Sequence, residues 1–184
     1  MKADAGNVCD LAQRAEDGNY RLRQFLKFQD RLSGEQLDRL VGATTDRVWA
    51  HVDCTTCANC CKELKIGLTD TDAERLAACL GSAIGEFHQR YLDKDDEAEK
   101  RGEGVRWRMR GKPCPFLAGN RCTVYEVRPE QCRKYPYLHE ARFAFRTLGL
   151  IDRTFTCPIV YEVMEELKAE FGLRDRPNRR SRRR

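Results

Sequence analysis

Cysteine spacing constrains this chain more than any other feature. Cys54, Cys57, Cys60 and Cys61 place four thiols within eight residues, and Cys114, Cys122, Cys132 and Cys157 follow. A thiolate is a soft, strong ligand, and two residues between cysteines let both sulfurs reach one ion from a single turn of backbone. C-x2-C therefore recurs in zinc and iron–sulfur sites. The competing reading is a disulfide framework, since the ten cysteines form an even number. Such a framework belongs to an oxidising compartment, and the segment Met1-Lys2-Ala3-Asp4-Ala5-Gly6-Asn7-Val8 lacks the apolar core of a secretory signal. The expectation is a metal-binding, cytoplasmic protein.

Length and charge narrow the class. At 184 residues, 41% hydrophobic and 34% charged, the chain can bury one core of ordinary size. No run approaches the ~20 apolar residues needed to cross a bilayer, so no membrane span is expected. Net charge is +5, but residues 174–184 hold seven arginines and one aspartate, or +6, which leaves 27 basic and 28 acidic residues before them. A nearly neutral body thus carries a basic tail.

Hydrophobic periodicity predicts an α+β domain, mostly helical, with short strands around a cysteine-ligated centre. A helix is expected from about Tyr20 to Arg31, and Ser33 with Gln36 has capping-box spacing for a second that bears Leu37, Leu40, Val41, Val48 and Val52. Leu64, Ile66 and Leu68 alternate as a strand would; Thr71 and Glu74 mark a further helix start. Residues 93 to 104 read as a charged loop. Val105, Trp107 and Met109 alternate with Arg106, Arg108 and Arg110, a half-buried strand with a basic face. Turns at Gly111-Lys112-Pro113 and Ala118-Gly119-Asn120 put Cys114 and Cys122 on either side of a reversal, a knuckle suited to metal. Phe143 to Leu148 is expected as a strand. Ile159, Val160, Val163, Met164, Leu167 and Phe171 form a helical stripe behind Pro158, which sets Cys157 at a helix N-terminus, where exposed N–H groups favour a thiolate. The expected organisation is a helical segment over 1–50, a metal-binding domain over 51–172 and a disordered arginine-rich tail over 173–184.

The other reactive side chains carry less signal. Cys79 falls in an alanine- and leucine-rich helix and is expected to pack as a small apolar residue; Cys9 lies near the terminus. His51, His88 and His139 have no metal-type pairing. Neither a Gly-rich phosphate loop nor a nucleophile elbow is present, so no catalytic residue is assigned and enzymatic activity is left open.

The cysteines also carry a resemblance. The chain resembles the cysteine-cluster family named for its C-x2-C-x2-C-C motif and described as zinc- or iron-chelating; here that motif is Cys54, Cys57, Cys60 and Cys61. The family's second block matches Cys114-Pro115-Phe116-Leu117 and then Cys122, Tyr125, Arg128, Pro129, Cys132, Arg133, Tyr135 and Pro136, and its closing Cys-Pro is Cys157-Pro158. The likeness runs from about Asp53 to Tyr161. It implies metal chelation by these eight cysteines, without implying a reaction. Arg128 and Arg133 stand inside the motif, and an arginine fork can donate to ligand sulfurs or nearby carbonyls, so both are expected to support the ligands.

Spacing leaves the metal open. C-x2-C-x2-C with a distant Cys-Pro has the order of a bacterial four-iron (4Fe–4S) ferredoxin, while C-x2-C with further knuckle cysteines suits tetrahedral zinc. Neighbouring side chains diverge, so Cys60 and Cys61 can serve different sites. One division sets Cys54, Cys57, Cys60 and Cys157 against Cys61, Cys114, Cys122 and Cys132; other divisions fit equally well, as does a single site. Three functions follow: a metal-binding module holding zinc or an iron–sulfur cluster, an iron–sulfur redox enzyme or electron carrier, and an RNA- or ribosome-associated protein whose arginine tail makes weak nucleic-acid contact.

Overall fold

A computed structural model describes residues 2–102 and 104–173, so the arginine tail, apart from Leu173, lies outside the described residues. In chain order the elements are α1 (Val8–Phe28), α2 (Gly34–Trp49), α3 (Cys54–Cys57), α4 (Asn59–Glu63), β1 (Gly67–Leu68), α5 (Asp70–Cys79), α6 (Ile84–Tyr91), β2 (Leu92–Lys94) and α7 (Asp96–Lys100). There follow β3 (Trp107–Met109), β4 (Leu117–Ala118), β5 (Arg121–Cys122), a 3-10 turn (Tyr125–Val127), α8 (Glu130–Lys134), α9 (Phe143–Thr154) and α10 (Pro158–Glu170). The fold is α+β, mostly helical with short antiparallel strands. These elements fall into two units: Met1–Asp53 with Pro136–Arg184, and Cys54–Tyr135.

The first unit is helical. α1 and α2 pack with α9 and α10, and the predicted stripe on α10 is core: Ile159, Val160, Val163, Met164 and Leu167 are all buried. Leu22 and Leu26 of α1, Leu37 and Val41 of α2, and Phe143, Leu150 and Ile151 of α9 complete it. The capping box at Ser33 forms as expected, with Ser33 and Gln36 each holding the other's backbone N–H. Cys157 caps α10 with Pro158 in its first turn.

Two expectations change here. α1 begins twelve residues before Tyr20, because Val8, Leu11, Ala12 and Ala15 continue the buried face, two of them alanines that give a weak apolar signal. Phe143 to Leu148 is helix rather than strand. The start of α9 is capped from a distance: Asp38 of α2 accepts the backbone N–H of Arg142 at 2.8 Å and of Phe143 at 2.9 Å. That carboxylate satisfies donors that a helix start leaves open, so a segment without a local cap still turns helical.

The second unit is built on two small sheets. β3 lies between β1 and β2, antiparallel to both, with Leu68 opposite Trp107 and Leu92 opposite Met109. β4 and β5 form a separate hairpin with Leu117 opposite Cys122. α5 and α6 close one apolar core of Leu68, Ala73, Leu76, Ala77, Phe87, Leu92, Met109, Phe116 and Val124, and Cys114 and Cys122 pack on its edge. The cap of α5 is Thr69 with Asp72, not Thr71 with Glu74, since Asp72 is also long enough to reach back to the Thr69 N–H. Cys79 is exposed, because the buried face of α5 runs through Asp72, Ala73, Leu76 and Ala77 and leaves it outside. Residues 93 to 104 are not simply loop: β2 and α7 form there, and Asp95 caps α7 through the Ala98 N–H.

Candidate metal centre

The first cysteine block occupies two helical turns joined by a sharp bend. Cys54 and Cys57 are the ends of α3, and Cys60 and Cys61 lie on α4. Between them Ala58 takes a left-handed conformation at φ 54 and is buried, which turns the chain directly from one helix into the next. α3 packs beside β5, the strand that ends in Cys122.

The second block joins the first through the backbone. Cys114 donates its N–H to the Cys61 carbonyl at 2.8 Å, and Leu117 returns an N–H to the Cys114 carbonyl at 3.0 Å. Thr123 then ties the hairpin shut, giving both its N–H and its hydroxyl to the Phe116 carbonyl at 2.9 and 3.1 Å. Both knuckle sulfurs receive a backbone hydrogen bond two residues on: Phe116 N–H to Cys114, and Val124 N–H to Cys122. An N–H directed at sulfur favours the ionised form, which is the ligand form.

Cys61, Cys114, Cys122 and Cys132 interact electrostatically as a group. Burial pushes the Cys132 thiol up to about 12, and negative charge on Cys61, Cys114 and Cys122 adds to the rise, with Arg128 opposing. Burial also raises Cys114 and Cys122, against the two backbone N–H groups. Cys61 moves the other way, down to about 7, because the Cys60 thiol donates a hydrogen bond to it and Lys62 lies near, against burial. Four half-buried sulfurs that repel one another when ionised are chemically suited to a cation, and thiolate softness suits zinc or iron. Among the described residues no group of three or more Cys, His, Asp or Glu is drawn together closely enough to hold an ion as it stands. The four thiols are neighbours rather than a formed coordination shell.

The remaining sequence candidates take varied places. Cys157 belongs to the helical unit, at the start of α10. Arg128 lies over the Tyr125 ring at 3.8 Å and donates to the Tyr125 carbonyl at 2.7 Å. Arg133 donates to the carbonyls of Arg128 and Glu126, both at 3.0 Å. Both arginines therefore fasten the segment between Cys122 and Cys132. His88 stacks on Trp107 at 4.1 Å, and His139 faces Asp46 and Trp49. The basic strand face is neutralised in place: Arg106 pairs with Asp70 and Glu99, Arg108 with Asp95, and Arg110 with Asp93.

Asp72, Arg75 and Gln131 carry no ligand signal in the sequence, yet they brace the turn that bears Cys132. The only hint of Asp72 is its spacing from Thr69.

A family model described as a putative zinc- or iron-chelating domain, CxxCxxCC, matches residues 53–157, more than half of the chain. The chain belongs to the CxxCxxCC family. The matched span runs from the residue before Cys54 to Cys157 and so contains all eight motif cysteines. No curated protein and no solved structure matches the chain. Family membership supports zinc or iron as the metal bound, and among the described residues no helix is long and apolar enough to cross a membrane.

Proposed function

We propose that this CxxCxxCC protein is a metal-binding module whose primary site is formed by the thiolates of Cys61, Cys114, Cys122 and Cys132. One observation carries the reading: these four sulfurs, drawn from α4, the two arms of the β4–β5 knuckle and α8, sense one another's charge, and two of them receive backbone N–H groups. Four thiolates supply the tetrahedral sulfur set that both zinc and iron accept. A bound cation would supply the positive charge these sulfurs need and cross-link three segments with little core of their own. Lys62 beside Cys61 and Arg128 beside Cys122 and Cys132 offset part of the remaining negative charge.

Cys54, Cys57 and Cys60 on α3 and α4 belong to the same motif and are assigned to a second site within the same unit. The cytoplasm is the compartment that suits reduced thiols of this kind. Anaerobic purification followed by metal analysis and absorption spectroscopy tests the reading. Colourless protein with stoichiometric zinc identifies a zinc module. A brown protein whose band near 400 nm bleaches with dithionite identifies an iron–sulfur centre and moves the protein toward electron transfer. Protein that takes up neither metal refutes the function.

A further inference from the structure

Cys132 sits on a helix of five residues, α8, which is too short to hold its own orientation. Its N-cap, Pro129, makes no side-chain cap hydrogen bond. What holds its first turn comes from α5. The Asp72 carboxylate, 3% exposed, accepts the Glu130 N–H at 3.1 Å and so caps α8 from 58 residues away. The same carboxylate pairs with Arg75, whose guanidinium donates to the carbonyls of Val127 at 3.3 Å and Arg128 at 3.1 Å, the two groups leading into α8. A third tie comes from β1: Gly67 donates its N–H to Gln131 Oε1 at 2.9 Å, one residue before the cysteine. Gly67 is needed for that approach, since a Cβ there would stand 3.0 Å from Gln131 Nε2 and 2.7 Å from Val105 Cγ1.

We infer that Asp72, working with Arg75, is the positioning residue for the Cys132 thiolate: it fixes the direction from which α8 presents that sulfur to the metal shared with Cys61, Cys114 and Cys122. The inference rests on the four-thiolate reading above. A buried carboxylate that ties one end of its own helix, an arginine and the first N–H of another helix leaves α8 little freedom to rotate. Ligand orientation set in this way contributes to affinity, because fixing a sulfur before the metal arrives removes the cost of ordering it afterwards.

The test compares four full-length variants by zinc affinity, measured by competition with a chromophoric chelator, and by the absorption of the cobalt-substituted protein, whose thiolate-to-cobalt band reports the number of sulfurs bound. Asp72→Asn keeps the shape but loses the charged pair, and should weaken zinc binding about 10- to 100-fold, the range typical of groups that orient ligands. Arg75→Met, at a partly exposed site, should weaken it in the same direction and serves if Asp72→Asn does not fold. Ser33→Ala removes the cap of α2 in the helical unit; it should lower the melting temperature while leaving zinc affinity within about two-fold, below the range expected of an orienting group. Cys132→Ser should lose one thiolate from the cobalt spectrum. If Asp72→Asn and Arg75→Met bind zinc as tightly as Ser33→Ala, the positioning role is refuted and Asp72 is structural only. If Cys132→Ser keeps the parent cobalt spectrum, Cys132 is not a ligand and the four-thiolate reading itself falls.

Discussion

Cys114 donates its backbone N–H to the carbonyl of Cys61 at 2.8 Å, so the two cysteine blocks, 53 positions apart, are joined before any metal is considered. That bond fixes one cysteine of the first block next to the first cysteine of the second. The remaining two sulfurs arrive through the hairpin and through α8, neither of which has a long element behind it.

Metal should therefore hold the second unit and not the first. Strong chelation is expected to make residues 54–135 protease-sensitive, because α3, α4, the knuckle and α8 lose their common anchor. The helical unit keeps its core of α1, α2, α9 and α10, so much of the far-ultraviolet helix signal should persist. Limited proteolysis with mass spectrometry locates the cuts. Cleavage confined to the helical unit would contradict the expectation.

Serine in place of single cysteines sorts the ligands. Cys61→Ser, Cys114→Ser, Cys122→Ser and Cys132→Ser should each lower metal content and yield less soluble protein, while Cys79→Ala, exposed at the end of α5, should match the parent. Elemental analysis of the purified variants checks this. Equal metal in all five would overturn the ligand set.

How far the sequence reached differs between the two units. The α10 stripe and the Ser33 box were legible because both are local patterns, set by residues three and four apart. α9 was not, because its cap is Asp38, more than a hundred residues earlier, and no window along the chain contains both. The same reason hid Asp72, Arg75 and Gln131: each acts on a segment reached only through the fold. Cysteine spacing proposed the donors and offered the set of Cys61, Cys114, Cys122 and Cys132 as one division among several; the packing of the knuckle and α8 brings these four within electrostatic reach of one another. Arg106, Arg108 and Arg110, on and beside β3, read as a basic face because their partners, Asp70, Asp93, Asp95 and Glu99, lie elsewhere along the chain.

Removing the distant cap gives a clean stability effect. Asp38→Ala should destabilise the helical unit by about 1–2 kcal/mol, since two N–H groups at the start of α9 lose their acceptor and the helix dipole loses a nearby negative charge. Metal content should not change. Thermal melting alongside metal analysis separates the two effects, and a loss of metal with no change in melting would argue against this role for Asp38.

Acid should weaken the sheet of the second unit in a defined window. The Ala98 N–H, then Arg108, holds the Asp95 carboxyl below its ordinary 3.8. A carboxylate with a depressed folded value contributes stability that is fully present above the unfolded value and is lost as pH falls through the folded one. The contribution of Asp95 should therefore be constant from neutral pH down to about 4 and disappear below it. Asp95→Asn removes the titration: its urea midpoint should sit below the parent's at pH 6 and approach it at pH 3. Parallel acid profiles for the two proteins would show that this carboxylate does not couple to folding.

The close approach of β1 to α8 supplies the last prediction. A methyl group at position 67 would meet Val105 Cγ1 at 2.7 Å and the Gln131 amide at 3.0 Å, so one of them must move. Val105 is buried, and Gln131 is the residue before Cys132. Gly67→Ala should cost about 1–3 kcal/mol through overpacking and should also weaken metal binding, because the displaced Gln131 carries α8 with it. Gln131→Ala on the Gly67→Ala background makes room at α8 and should recover part of the stability, while metal affinity stays low because the tie to β1 is gone. Full recovery of affinity in the double variant would show that α8 is oriented without β1.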